Sequence, residues 1–374
     1  MLKIKRYLEE KILKNLDKRK ILIIYGPRQA GKTTLAKVIL AKYKNSLYLN
    51  GDLIDDRGCL GEPSRAMVEQ FKNYDLLVID EAQRIEDIGI KLKVIFDTLP
   101  NLKILATGSS AFELSNIINE PLTGRYFAFT MYPISFAEAQ SAGKFDLGKN
   151  LVYGSYPEVV TSPDRETKEA IVKNIASNYL FKDVLNIEYI RNTRSLEGLL
   201  KLVALQVGGQ VSTTEIAQML NLDAKTVLNY LDILHKLHII FPLSPYFSNK
   251  RKSISKMKKY YFFDLGIRNA LAGDFSPTNK RSDIGQLWEN FCLVERMKRN
   301  DALSRYPEYY FWRSYQQDEI DLIEGENRVL SGFEFKWNKK PTLPKIQKIF
   351  AEDLGGQGDL QVISKNNFAP FLEV

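Results

Sequence analysis

The sequence predicts an α/β protein: a parallel sheet near the N-terminus, a helical segment, and a second α/β module. Three observations carry this. Short apolar runs at Lys20–Tyr25, Asp75–Asp80 and Leu102–Thr107 have the continuous pattern of strands buried on both faces. Helical patterns lie between them, which implies parallel pairing. From Pro163 to about Leu243 the pattern turns helical, and strand patterns return at 309–312, 319–323 and 332–337. A chain of 374 residues suggests two or three domains.

Taken in order, Lys3–Leu16 reads as a helix, with Ile4, Leu8, Ile12 and Leu16 repeating every fourth residue among charges. The first strand ends at Gly26, and a helix follows over Leu35–Tyr43. The next two strands end in Asp80-Glu81 and Thr107-Gly108. Ser248–Lys259 is polar and basic, a linker or a wing. A last helix covers Leu287–Arg299.

Composition narrows the chemistry. Two cysteines, Cys59 and Cys292, cannot build a disulfide framework, and the two histidines, His235 and His238, lie far from both. A Cys/His zinc site is excluded on those grounds, and nucleophilic triads have little to draw on. No run approaches the ~18 apolar residues of a membrane span, and the basic N-terminus lacks the apolar stretch of a signal peptide. The expectation is a cytoplasmic protein without a membrane partner. The net charge of +8 is uneven: residues 1–50 carry 13 basic and 3 acidic side chains, and residues 251–300 carry 11 and 5. Two local basic zones point to an anionic partner, nucleic acid among the candidates.

The strongest motif is Gly26-Pro27-Arg28-Gln29-Ala30-Gly31-Lys32-Thr33, with Thr34 following, a match to G-x-x-x-x-G-K-[ST] between a strand and a helix. Its glycines let backbone N–H groups turn inward toward phosphate oxygens, and the helix N-terminus adds its positive end. Lys32 is expected to reach the β- and γ-phosphates of ATP and Thr33 to ligate Mg²⁺. Asp80 then completes the metal shell and Glu81 polarises the attacking water. Ser109 and Thr107, at the end of the third strand, are candidates to orient that water. Arg125, in Leu122-Thr123-Gly124-Arg125, is a candidate to stabilise transition-state charge, in cis or across a subunit boundary.

Ser212–Ile240 reads as helix, turn and helix. Ser212 or Thr213 caps the first, Ile216, Ala217 and Leu220 form its apolar face, and Asn221-Leu222-Asp223 makes the turn. In the second, Val227, Leu231 and Leu234 face inward. Lys225, Thr226, Asn229 and Tyr230 are the candidates for contact with double-stranded DNA. Lys250, Arg251, Lys252, Lys256, Lys258 and Lys259 follow where a wing would lie and suit phosphate contact.

Near the C-terminus, Glu289 sits on a helix, Asp321 on a strand, and Glu334 and Lys336 on one face of the next strand. Asp321 and Glu334 are expected to share a divalent metal, with Lys336 beside the scissile phosphate and Glu289 reaching in. Acid, then acid-x-Lys, is the pattern of restriction-endonuclease-like nucleases.

These motifs, with YPISFAEA at 132–139, YGSYPEVV at 153–160 and YLFKDVL at 179–185, make the chain resemble prokaryotic AAA-type ATPases with a winged helix and a nuclease-like C-terminal domain. The resemblance implies ATP binding and hydrolysis. Gln317-Asp318 precedes Glu319-Ile320-Asp321 where the family often has Gly. The expected domains are an N-terminal basic helix (1–20), a P-loop AAA-type ATPase domain (21–150), a helical lid with winged helix-turn-helix (151–247), and a restriction-endonuclease-like domain (248–374). The expected function is Mg-dependent ATP hydrolysis coupled to DNA binding. An ATP-controlled nuclease and a non-cleaving ATP switch are the rivals, and a protein partner or an oligomer stays open.

Overall fold

The computed structural model describes residues 4–108, 121–179, 193–247, 257–313, 318–338 and 360–374. The chain divides into two compact units, one reaching to Ile134 together with Lys236–His238, the other holding the rest.

The first unit is built on five parallel strands: β1 (Ile21–Tyr25), β2 (Ser46–Asn50), β3 (Leu76–Asp80), β4 (Lys103–Gly108) and β5 (Tyr126–Thr130). Their order is β2-β3-β4-β1-β5. Side-chain alternation along each strand supplies two cores. Ile21, Ile23, Leu77, Ile79 and Ile104 point to one face, where Ile88, Leu92 and Ile95 of helix Ile88–Thr98 cover them. Leu22, Ile24, Leu76, Val78 and Leu105 point to the other, under Leu35, Ala36 and Ile39 of helix Lys32–Leu40 and Leu8, Ile12 and Leu16 of helix Tyr7–Leu16. The N-terminal helix starts at Tyr7, four residues later than its periodicity suggested, because Arg6 is extended and turned to another use. Strands β2 and β5 escaped the sequence reading: both are sheet edges, and most of their residues are only partly buried, so neither has the continuous apolar pattern.

The second unit holds a seven-stranded sheet. Its strands are β6 (Gln210–Val211), β7 (Ile240–Pro245), β8 (Lys258–Phe262), β9 (Glu308–Arg313), β10 (Glu319–Glu326), β11 (Val329–Phe335) and β12 (Leu360–Ile363). The order is β12-β11-β10-β9-β7-β8-β6, with β7/β9 and β11/β12 parallel and the other pairs antiparallel. The stretches expected as separate domains before and after residue 247 therefore share one sheet, because β7 pairs with β9 through Ser244–Tyr310 and Pro245–Phe311. Helices Thr213–Leu220 and Ala224–Lys236 precede the β7–β8 pair. Ser212 caps the first, and Asn221 ends it in the left-handed conformation. Among the described residues no helix is long and apolar enough to cross a membrane.

The contact boundary lies at Ile134/Ser135 rather than at 150. Buried polar groups explain it. Helix Phe136–Ser141 opens with a Ser135/Glu138 capping box, and the Phe136 N–H donates to Glu295 at 2.6 Å. Asn269 donates to the carbonyls of Leu151 and Val152. Asp264 accepts from the Ser155 N–H at 2.7 Å while capping helix Leu265–Ala272 through the Ile267 N–H. Gly154 is obligatory here: its φ is +78°, and a Cβ would lie 2.1 Å from Asp264 Oδ1.

Asp264→Ala removes a helix cap and strands the Ser155 N–H, so it should cost the second unit about 2–4 kcal/mol. Trp288, Trp312 and Trp337 are the only tryptophans and all lie in that unit. Denaturant unfolding followed by tryptophan fluorescence therefore reads the effect directly, and an unchanged midpoint would contradict it.

Candidate functional site

The residues of the Gly26–Gly31 turn connect the C-terminal end of β1 to helix Lys32–Leu40, which Lys32, Thr33 and Thr34 open. The turn needs unusual backbone angles. Gly26 has φ +148°, Gln29 +59° and Gly31 +102°. A Cβ at Gly26 would lie 2.2 Å from the Met131 carbonyl oxygen, so the turn is seated directly on the exit of β5. Arg6, missed by the sequence reading, holds it from the other side. Its guanidinium donates to the Ala30 carbonyl at 2.8 Å and to the Tyr132 carbonyl. Lys32 is 5% exposed, and its ammonium donates to the carbonyls of Gly26 and Pro27 at 2.8 and 2.9 Å. The loop therefore carries a cation folded over its own carbonyls.

Asp80 ends β3, which is not the neighbour of β1, because β4 lies between them. The intervening strand contributes Thr107, whose hydroxyl donates to Asp80 Oδ1 and accepts from the Glu81 N–H at 3.3 Å. From the edge strand β2, the Tyr48 hydroxyl donates to Asp80 Oδ2 at 2.7 Å. Burial and this bond to Asp80 raise the Tyr48 hydroxyl above its usual range, which keeps it a donor. Asp80 is 3% exposed, so two hydroxyls fix its carboxylate. Glu81 follows in the left-handed conformation, φ +50°, and its carboxylate accepts from Gln83 at 2.6 Å. A threonine hydroxyl and a carboxylate are the hard oxygen donors that Mg²⁺ prefers, so Thr33 and Asp80 fit that ion.

Arg125 is not part of this arrangement. Its carbonyl accepts from the Ile21 N–H at the start of β1, so it stands at the opposite end of the strands. Five strand residues separate that end from the loop, roughly 16 Å at ~3.3 Å each. Its guanidinium is paired with Asp97 at 2.9 and 3.1 Å. Ser109 lies outside the described residues.

On the helix pair, Lys225 and Asn229 are exposed and Thr226 is half-buried, its hydroxyl donating to Asp223. Tyr230 is 5% exposed and packs inward with Val227, Leu231 and Leu234, so it does not face a partner. The periodicity explains the error: Tyr230 flanks the 227–231–234 stripe and widens it. Lys250, Arg251, Lys252 and Lys256 lie outside the described residues. Lys259 does not belong to a basic wing: it is 2% exposed and committed elsewhere.

That commitment is the C-terminal cluster. Asn290 on helix Ile284–Ala302 exchanges two hydrogen bonds with the Phe262 backbone of β8, at 2.9 and 2.8 Å. This sets Glu289 against Lys259 and Tyr261, which share one face of β8. Glu289 Oε1 accepts from the Lys259 ammonium at 3.0 Å and from the Tyr261 hydroxyl. Lys259 also donates to Glu319. The β10/β11 register pairs Leu322 with Phe333, and one step further sets Asp321 opposite Glu334. Asp321 accepts from the Phe335 N–H at 2.7 Å, and Glu334 pairs with Lys336. Glu289, Glu319, Asp321, Lys259 and Lys336 line one cleft of about 790 Å³, whereas Glu334 lies outside its lining. The sequence reading missed Glu319, Lys259 and Tyr261. Only the alternation of Glu319 with Asp321 could have signalled the first.

Burial, and next the Glu289 charge, push the Asp321 carboxyl up to about 7. Burial and the facing Asp321 do the same to Glu334, also to about 7. Burial works against the Lys259 charge, but Glu289, Asp321 and Glu319 outweigh it and hold the ammonium above its usual range. A divalent ion does not fit the Glu289–Glu319 corner as built, because the ammonium already bridges those two carboxylates.

Comparison with known proteins agrees with the first unit and adds no chemistry to the second. Residues 18–140 match the family described as AAA domain. Residues 144–278 and 284–370 match two families, each described as a domain of unknown function (DUF8612 and DUF4143). An uncharacterized protein of Mycobacterium tuberculosis is 26% identical over 343 residues, 91% of this chain and 75% of its own length. An uncharacterized protein of Methanocaldococcus jannaschii is 26% identical over 353 residues, 87% of this chain and 76% of its own. The Walker-type ATPase PABY2304 of Pyrococcus abyssi superposes with a TM-score of 0.51 at 15% identity, over 72% of this chain and 96% of that one. The likeness to PABY2304 is one of fold. Residues 18–140 thus resemble an AAA domain, and the first unit has a P-loop ATPase-like fold.

Arg6→Ala removes charge-assisted bonds to the loop and should weaken MgATP binding roughly tenfold, about 1.4 kcal/mol. Titration with a fluorescent ATP analogue measures it, and an unchanged dissociation constant would reduce Arg6 to packing. For the acid pair, the folded pKa lies above the unfolded one. The penalty is absent below about pH 4, grows as pH rises toward 7, and is complete above that. Asp321→Asn should therefore raise the unfolding midpoint more at pH 8 than at pH 5. An equal rise at both would show that Asp321 is not held protonated.

Proposed function

We propose that this chain is a Mg²⁺-dependent ATPase whose hydrolysis cycle controls how the second unit engages double-stranded DNA, without cutting it. The observation that carries the catalytic half is Asp80, fixed by Tyr48 and Thr107 beside a loop whose Lys32 is folded onto its own carbonyls. In this reading the loop N–H groups and Lys32 take the phosphates, and the start of helix Lys32–Leu40 adds its dipole. Thr33 and Asp80 would hold Mg²⁺, which would supply charge neutralisation on the transferring phosphate. Glu81 orients the attacking water and accepts its proton, with Gln83 holding the carboxylate in place. Because Arg125 is remote, any additional cation at the transferring phosphate has to come from another residue or from a partner.

The DNA half rests on the winged-helix order of elements: two helices joined through Asn221, then the β7–β8 pair. With Tyr230 buried, contact falls to Lys225 and Asn229, to the half-buried Thr226, and to the cations of 250–256. Cleavage is the second reading. It is favoured by one observation: Glu334 Oε2 is buried with no hydrogen-bond partner among the described residues, as a metal ligand would be.

Lys32→Ala should abolish MgATP binding and turnover, while Glu81→Gln should keep binding and lose turnover by 100-fold or more, on the order expected for a general base. Adding duplex DNA should raise wild-type turnover, and Lys225→Glu should blunt that rise and flatten its salt dependence. Undiminished turnover in Lys32→Ala would sink the ATPase reading. Turnover indifferent to DNA would sink the coupling.

A further inference from the structure

The acidic centre of the second unit contains its own cation. Carboxylate oxygens of Glu289, Glu319 and Asp321 lie within 4.8 Å of one another, the span of a ligand set around a single divalent ion. The Lys259 ammonium is bonded inside that set, 3.0 Å from Glu289 Oε1 and paired with Glu319 Oε1. A metal bridging those two oxygens at ~2.0–2.6 Å would have to displace it. Displacement has nowhere easy to go. The side chain is buried, the ammonium lies over the Phe311 ring at 5.3 Å from its centroid, and β8 holds the backbone between β7 and β6. The second donor on Glu289 Oε1, Tyr261, is fully buried as well.

We propose that Lys259 is the resident cation of this centre, standing in the Glu289–Glu319 corner of the acidic set in place of a divalent ion. The cluster is then a metal-free ionic joint. It ties β8, which follows the helix pair, to β10 and to helix Ile284–Ala302. This inference deepens the non-cleaving reading and is independent of ATP turnover. A buried ion pair of this kind is expensive to break from one side, because the partner is left charged and unpaired. Lys259 therefore does two things that a metal would do. It balances the acids, and it fixes three elements in one register. It cannot do the third, which is to activate water for attack on a phosphodiester.

The test uses the full chain carrying Thr33→Ala and Asp80→Asn, so that the P-loop no longer competes for the ion. Titration with MnCl₂ followed by electron paramagnetic resonance should show no specific site up to millimolar metal. Adding Lys259→Met should create one Mn²⁺ site per chain, and Glu289→Gln should remove it again. A stoichiometric Mn²⁺ site in the parent chain that Glu289→Gln or Asp321→Asn abolishes would overturn the inference. So would a folded Lys259→Met chain that gains no site. If Lys259→Met does not fold, Lys259→Gln retains a polar end for the same titration, and the parent titration needs no change at Lys259. ATP turnover of the otherwise wild-type chain is measured beside these, so that a failed ATPase reading and a failed metal-free centre show up in different assays.

Discussion

The chemistry of the first unit depends on the seating of Gly26 against the Met131 carbonyl. No side chain fits there, so the turn after β1 lies flush on the exit of β5. That contact fixes where the loop begins, and the left-handed Gly31 fixes where helix Lys32–Leu40 begins. Between the two, Lys32 has little choice but to fold back over the loop carbonyls. Arg6 completes the seat by joining the Ala30 and Tyr132 carbonyls, which explains why Arg6 is extended and the helix starts only at Tyr7. Asp80 is then placed by sheet order. With β4 lying between β1 and β3, the tip of β4 must carry a hydroxyl that can reach the carboxylate, and Thr107 does.

What could be read from the sequence was what the chain encodes locally. The apolar runs of β1, β3 and β4 are continuous because those strands are buried on both faces, and the P-loop lies between strand and helix as its spacing requires. Edge strands β2 and β5 carry no such pattern. Arg125 was read as acting in cis or across a subunit boundary, and parallel pairing with β1 puts it at the wrong end of the sheet for the first of these. The C-terminal acids were legible as a set, since acid and acid-x-Lys on adjacent strands share a face. Their counter-ion was not, because Lys259 precedes Glu289 by 30 positions and sits among cations that look like a wing.

Part of the positive charge of the N-terminal region is engaged within the unit. Lys5 pairs with Glu10 and Lys42 with Glu9, while Asp17 pairs outside the region with Lys103. Lys11, Arg19 and Lys20 lie over the rings of Phe129, Phe96 and Phe127. Exposed pairs of this type contribute little stability, but they lower the local field that a distant anion would feel. Glu9, Glu10 and Asp17 are the only acids of residues 1–50, so these pairs leave the basic surplus of that region in place. Lys259 leaves the corresponding account for residues 251–300 one cation shorter.

The second unit carries an unusual load of buried charge, and its distribution follows a rule. Arg296 with Glu324, and Lys259 with Glu289 and Glu319, each join the long helix, or the strand docked on it, to its surroundings, while Glu295 and Lys298 pair within the helix and reach outward through the Phe136 N–H and the Ser155 hydroxyl. Glu295 reaches Phe136, Arg296 reaches the Phe371 carbonyl, and Glu289 reaches Tyr261. Hydrophobic contacts around Trp288 and Phe291 would tolerate small slips of that helix, since apolar packing is non-directional. The ionic contacts would not, because a slip leaves a desolvated charge unpaired. Apolar burial thus supplies the driving force for docking helix Ile284–Ala302, and the buried ion pairs choose its single register. A helix so fixed is held as one rigid element of the second unit.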